Sequence, residues 1–307
     1  MSVLVIRGRT LTFKRAPTSI HDKDSYNYNE DGALLIKDGL ISDFGNYLDI
    51  KNKTPGDIKI FDHHPHLIMS GFIDPHLHFP QIQVIASYAS NLMEWLKEYA
   101  FLEEQKYHDA SFGKVMAKKF FEEMINNGTT SAASFCTIHS ESVDSFFEES
   151  RSRNMLMIAG KVMMDRNAPK KLLDTPQKGY DDTKALIKKW HGKGRQYYAI
   201  SPRFAVTSSH AQLEMTKALL SEHPECYLQT HLSENIDEIV HAKKLFPNCK
   251  DYTDIYDSYD LLGSKSLLGH CVHLSGREIN TLKQTKSVAV FCPTSNLFLG
   301  SGLFNLQ

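Results

Sequence analysis

From residue 71 onward, short apolar runs alternate without a break with stretches of helical period, and this alternation limits the fold more than any other feature of the chain. The run that ends at His76, and runs at 129–135, 155–164, 197–200, 227–231, 266–270 and 287–291, read as strands. Stretches at 92–101, 110–126, 142–151, 181–190, 211–222, 236–245 and 278–283 carry the 3.6-residue repeat of helices. Asn127-Gly128 is the expected stop of the second helix, because glycine takes the left-handed conformation that closes a helix. A helix between two strands returns the chain to its starting edge, so neighbouring strands run parallel. Seven such strands favour an α/β fold of the TIM-like (β/α)8 barrel type over an open sheet. The stretch from Gly71 to Gln307 is shorter than the ~250 residues typical of that barrel. The barrel is therefore expected to be truncated after about seven strands, one βα unit short.

Residues 1–70 follow a different pattern. Short runs at 3–6, 11–13, 33–37, 40–44 and 58–61 read as strands, with Asp38-Gly39 as a hairpin turn between two of them. Polar, turn-rich segments such as 21–31 lie between. A small antiparallel β unit over 1–70, followed by the barrel over 71–307, is the expected domain organisation.

Composition narrows the function classes. The 307 residues carry a formal charge of −1, so no global field favours nucleic acid or an anionic membrane surface. The longest basic cluster, Lys188-Lys189 with Lys193 and Arg195, reads as a solvated helix end. No apolar run reaches bilayer length, and the N-terminus lacks the pattern of a secretory signal. Five scattered cysteines without a CxxC point to a reduced, cytoplasmic setting.

Chemistry in a barrel sits at the carboxyl ends of its strands. Those ends read His76-Leu77-His78, Ser201-Pro202-Arg203-Phe204, His231-Leu232-Ser233-Glu234, Gly269-His270-Cys271 and Cys292-Pro293-Thr294-Ser295-Asn296. Asp74-Pro75 is expected to stop the first strand. In extended backbone, alternate side chains share a face, so His76 and His78 point the same way. Any one histidine is more often a surface or core residue than a ligand, but three strand ends reaching histidine at one mouth is a metal pattern. Zinc held by His76, His78 and His231 keeps an open position for water and lowers its pKa toward ~7. Glu234 is placed to move protons, although Ser233-Glu234-Asn235 also resembles a helix start. His270 either completes the ligand shell or orients the attacking water. By composition residues 63–66, His-His-Pro-His, resemble a metal tract, yet they read as a solvated loop before the barrel.

The stretch Gly71-Phe72-Ile73-Asp74-Pro75-His76-Leu77-His78, with His231 and His270, resembles the amidohydrolase superfamily. His76 to Gln81, Glu94-Trp95-Leu96, Pro202-Arg203-Phe204, His231 to Asn235 and Cys292 to Asn296 resemble, within it, the guanine deaminase family. That resemblance implies one zinc ion on His76, His78 and His231, and conversion of guanine and water to xanthine and ammonia. Water activated by the zinc would attack the amino-bearing carbon, with Glu234 and His270 as catalytic groups and Glu234 shuttling the protons. Gln81, Arg203, Phe204, His231 and Glu234 would hold the purine. It further implies a homodimer, a place in purine catabolism or salvage, and an N-terminal unit forming part of a small β-sandwich. Glu94-Trp95-Leu96 would lie over the pocket or at a subunit contact. The family's remaining ligand, an aspartate at the end of strand eight, would lie beyond Gln307, and the 307-residue form is expected to be unstable or inactive by itself.

Other readings compete. A two-metal amidohydrolase needs a bridging lysine after strand four, where Arg203 stands. The cytidine-deaminase fold pairs H-x-E with P-C-x-x-C, and the two do not occur together here. Another aminohydrolase or chlorohydrolase of the same superfamily would act on a different heterocycle. A catalytically dead interaction protein with a structural metal would have no use for Glu234 beside it. For Arg203-Phe204, the alternative role is a structural ion pair next to a core aromatic.

Overall fold

The computed structural model describes residues 2–54 and 56–306. The chain divides into two compact units, Met1–Gly71 and Phe72–Gln307.

The first unit is a four-stranded sheet with a short helix. Strands β1 (Val3–Phe13), β2 (Tyr26–Lys37), β3 (Leu40–Asn46) and β4 (Lys59–Ile68) are arranged in the order β3-β2-β1-β4. The β2–β3 hairpin turns at Asp38 (φ 49°) and Gly39 (φ 79°), the double left-handed turn that Asp-Gly favours. The sheet is not purely antiparallel as expected, because β4 runs parallel to β1. Helix α1 (Tyr47–Asn52) supplies the crossover such a pairing requires, and its Ile50 packs with Val5, Ala33 and Leu35 in the core. Residues 63–66 lie within β4, not in a loop, and all are exposed.

The second unit is built on parallel strands. They are β5 (Phe72–His78), β6 (Thr129–Phe135), β7 (Leu156–Gly160), β8 (Val162–Met163), β9 (Gln196–Pro202), β10 (Tyr227–Leu232), β11 (Ser266–His270) and β12 (Val288–Val290). The sheet runs β5-β6-β7-β9-β10-β11-β12, with β8 paired to β9, so chain order and spatial order coincide. The run at 155–164 makes two strands, not one. The helices are α2 (Leu92–Trp95), α3 (Phe101–Glu104), α4 (Ala110–Asn126), α5 (Ser140–Ser152), α6 (Pro176–Trp190), α7 (His210–Glu222), α8 (Ile236–Leu245), α9 (Tyr252–Asp257), α10 (Gly276–Thr285) and α11 (Pro293–Phe298). This is a nearly closed TIM-like barrel sheet wrapped by helices.

Burial explains the layers. Phe79, Tyr107, Phe120, Phe121, Phe146 and Phe147 form one aromatic core. A second core joins Phe204, Leu228, Leu232, Phe246, Tyr256 and Leu268. Capping boxes at Asn235/Glu238 and Ser275/Glu278 fix the starts of α8 and α10, each cap contributing about 1 kcal/mol.

Asp74-Pro75 does not stop β5. The strand passes through both residues, and its register with β6 shifts between Asp74 and Leu77. Proline lacks an N–H for the ladder, and a bulge is where a strand tolerates that loss. Asp74 also accepts the backbone N–H of His76 at 3.0 Å, which ties the irregular stretch together.

Candidate active site

The carboxyl ends of β5, β9, β10 and β11 meet at one mouth, and a cavity of about 460 Å³ opens there. His76, His78, Gln81, Arg203, Phe204, His231, Glu234 and His270 all line it. Every site residue expected from the sequence is thus brought together.

The three imidazoles of His76, His78 and His231 converge, each offering a nitrogen within 4.8 Å of the others. Nε2 of His78 and Nε2 of His231 lie 2.9 Å apart. His231 donates from Nδ1 to the carbonyl of Arg203 at 2.7 Å, which leaves its Nε2 lone pair facing His78. Nε2 of His76 and Nδ1 of His78 are buried without a hydrogen-bond partner. Burial, followed by the charge of neighbouring histidines and of Arg203, drives all three far below the usual histidine pKa. Neutral rings with unshared lone pairs are what a cation needs, so this donor set fits one metal ion.

Beside the imidazoles stands a buried acid. The Glu234 carboxyl lies 3.3 Å from Nε2 of His270 and accepts from the Ser301 hydroxyl at 3.4 Å. Burial pushes its pKa up to about 8, with Ser301 and Arg203 opposing the rise. His270 meets the side-chain oxygen of Asn296 at 2.8 Å through Nδ1. An amide oxygen only accepts, so Nδ1 carries the proton and Nε2 turns its lone pair to Glu234. His270 thus orients the acid on the side away from Asn296. Ser233, His270 and Cys271 all adopt positive φ (50°, 72° and 49°), a conformation that costs non-glycine residues roughly 1–2 kcal/mol each. Backbone bonds from Cys271 to Leu232 and from Val272 and His273 to Ser233 lock these adjoining turns together. Strain held in this way, at the residues that aim the acid and His270, is the kind that clusters at functional sites.

The opposite wall is a polar clamp. Arg203 is 2% exposed and donates from Nη1 to both oxygens of Glu104, at 2.8 and 2.7 Å. Its guanidinium also sits 5.3 Å from the centre of the Phe101 ring. The structural ion pair next to an aromatic is therefore present, and it coexists with a place in the cavity wall. Gln81 donates to the same carboxylate at 3.1 Å. Trp95 and Leu96 line the cavity too, which puts the Glu94-Trp95-Leu96 stretch over the pocket.

Sequence reasoning missed Glu104, Glu238 and Ser301, and quoted Asn296 without giving it a role. Glu238 is buried, accepts the Glu234 backbone N–H at 2.9 Å and the Tyr252 hydroxyl at 2.7 Å, and is pushed by burial to about 7. Its only signal was the capping-box spacing from Asn235.

Comparison with known proteins agrees with this geometry. The model of the amidohydrolase family matches residues 67–307. Guanine deaminase of Escherichia coli (strain K12) is 47% identical over 278 residues, covering 91% of this chain and 63% of that protein. The chain thus spans less than two thirds of that curated relative's length. A solved structure of E. coli guanine deaminase superposes with a TM-score of 0.95 at 44% identity, covering 99% of this chain and 70% of the other. Guanine deaminase from C. acetobutylicum, solved with guanine bound in its active site, superposes at 0.86 with 29% identity, covering 99% and 70%. Histidines at three strand ends, a barrel in chain order and these likenesses converge on one assignment: the chain belongs to the amidohydrolase family, and groups within it with the guanine deaminases.

Proposed function

We propose that the complete protein is a zinc-dependent guanine deaminase, converting guanine and water to xanthine and ammonia within purine catabolism or salvage. The observation that carries the reading is the convergence of three lone-pair-bearing imidazoles beside a buried, proton-holding Glu234, in a cavity whose far wall is the Arg203–Gln81 clamp. His76, His78 and His231 would hold the metal. A zinc ion held by these residues would supply Lewis acidity and would lower the pKa of water toward ~7. Burial lifts Glu234 to about 8 against the opposing pull of Ser301 and Arg203, and the positive charge of a loaded site would oppose that lift further. The acid is then poised near neutrality, where one group both accepts the proton of water and returns it to the departing amine. His270 holds Glu234 in line for that transfer. Arg203 supplies N–H donors to the purine in ground and transition state alike, Gln81 meets its edge, and Phe204 lies against the ring.

The likeness to a guanine-bound relative supports guanine as the substrate. We also read the N-terminal unit as part of a small β-sandwich, and the whole protein as a cytoplasmic homodimer without nucleic-acid or membrane partners. Among the described residues, no helix is long and apolar enough to cross a membrane.

The test is ammonia release by the full-length protein from guanine, adenine, cytosine and ammeline, with metal analysis of the same preparation. Guanine is expected to be the preferred substrate, with one zinc per chain. A zinc-loaded protein that leaves guanine intact sinks the assignment, and preference for ammeline or cytosine moves it to a different heterocycle.

A further inference from the structure

The two side chains expected to grip the purine do not stand independently. Arg203 arrives from the end of β9 and Gln81 from the turn after β5, and both end on the carboxylate of Glu104, fully buried at the end of α3. The same short helix contributes Phe101, whose ring sits by the guanidinium. One segment therefore holds Arg203 both by its charge and by its flat face.

We propose that Glu104 is a positioning residue that fixes the hydrogen-bonding polarity of the purine clamp, and that through it the pocket selects an oxo- over an amino-substituted ring edge. The proposal rests on the reading of the protein as a purine deaminase. A carboxylate has only acceptors to offer. Gln81 must therefore turn its NH2 toward Glu104, which leaves Oε1 as the end that can accept from a ligand. Arg203 spends Nη1 on Glu104, and its remaining N–H groups stay donors whatever happens, because a guanidinium has no acceptor. The clamp thus presents one acceptor beside fixed donors. A ring edge with a carbonyl and an N–H satisfies both. An edge with an exocyclic amine in place of the carbonyl sets N–H against N–H at the guanidinium, leaving buried donors unpaired, and unpaired buried groups are the strongest source of rejection.

A different residue at 104 changes this in a defined way. Glu104→Gln keeps the length but replaces the acceptor-only group with an amide that turns either end to Gln81, so the clamp loses its fixed polarity. Glu104→Asp keeps charge and polarity but retracts the carboxylate by one methylene.

The experiment uses the full-length, zinc-loaded protein and reads KM for guanine and the competitive inhibition constant of 2,6-diaminopurine, which carries an amine in place of the carbonyl and a bare ring nitrogen in place of the adjoining N–H, so that donor and acceptor exchange places along the edge. In Glu104→Gln the preference for guanine over diaminopurine is expected to fall by at least about tenfold, while zinc content stays at the wild-type value. In Glu104→Asp the preference is expected to hold, while KM for guanine rises by roughly three- to tenfold with kcat little changed, the pattern of weakened uniform binding. A wild-type preference retained by Glu104→Gln overturns the proposal. If that variant does not fold, an unchanged KM in Glu104→Asp overturns it instead. A wild-type protein that releases no ammonia from guanine fails the functional reading itself, and is told apart from these outcomes by being seen before any variant is made.

Discussion

A single methyl group at position 269 is expected to dislodge a metal ligand. Gly269 lies in β11, one residue before His270, and a Cβ built there falls 2.4 Å from Cε1 and 2.7 Å from Nδ1 of His76. Carbon contacts are comfortable at about 3.5–4.0 Å, so the imidazole must retreat by roughly 1 Å. It has nowhere to go. Its ring centre lies 4.8 Å from that of His231, 4.9 Å from His270, 5.3 Å from His78 and 5.4 Å from Phe135. Overpacking of this kind costs about 1–3 kcal/mol in stability, but the larger effect is on the metal. Ligand distances hold within about 0.2 Å, far less than the displacement required. Gly269→Ala is therefore expected to lower zinc affinity by about 10–100-fold or more, and turnover with it. The measurement is a titration of apo protein with zinc against a chromophoric chelator, with urea unfolding to confirm that the fold persists. Gly263→Ala is the control, since a Cβ there meets nothing within 4 Å. If Gly269→Ala binds zinc as tightly as wild type, His76 is not confined as described and the argument fails.

Two further outcomes follow from the buried acids. Glu234→Gln is expected to keep zinc and purine binding while kcat drops by about 10²–10⁴, the usual share of a proton-transfer group; loss of zinc in that variant gives Glu234 a different role. Glu238 is held near 7 by burial against an ordinary value of 4.5, so its neutral form belongs to the folded state. Its contribution is intact below about pH 4.5 and is lost as pH climbs through 7, a decline of about 3 kcal/mol at about 1.4 kcal/mol per pH unit. Urea midpoints between pH 4.5 and 8 are expected to fall less steeply in Glu238→Gln than in wild type, and parallel slopes in the two proteins contradict the assignment.

The cluster of imidazoles was legible because parallel strands send all their carboxyl ends to one mouth. Finding His76, His78, His231 and His270 at such ends was enough to gather them, with no knowledge of distances. Glu104 was not legible, and its neighbour shows why. Glu103 and Glu104 are adjacent acids in one helical stretch, yet Glu103 pairs locally with Lys106 and Glu104 pairs with Arg203, 99 positions away. Nothing in the local pattern separates a local i,i+3 pair, whose Lys106 end is exposed, from a buried long-range one. Asp74-Pro75 misled for the opposite reason. A local rule, that proline ends strands, gave way to a bulge that keeps β5 paired beyond it. Helix α9 also escaped notice, although the Tyr256 hydroxyl it carries donates to the His231 carbonyl and accepts from the Ala205 N–H.

The carbonyl oxygen of Arg203 receives both the backbone N–H of His231, at 3.1 Å, and its ring N–H, at 2.7 Å. One peptide group therefore joins a proposed metal ligand to the residue proposed to grip the ring. Two binding equilibria that share a structural member share a free energy, and linkage makes the sharing reciprocal. On the proposed roles, a metal that stiffens His231 would settle the base of Arg203 before a purine arrives, and a purine held by Arg203 would steady His231 in return. If His231 holds the metal and Arg203 the ring, as proposed, metal and substrate are expected to bind cooperatively, each tightening the other's hold by the same factor.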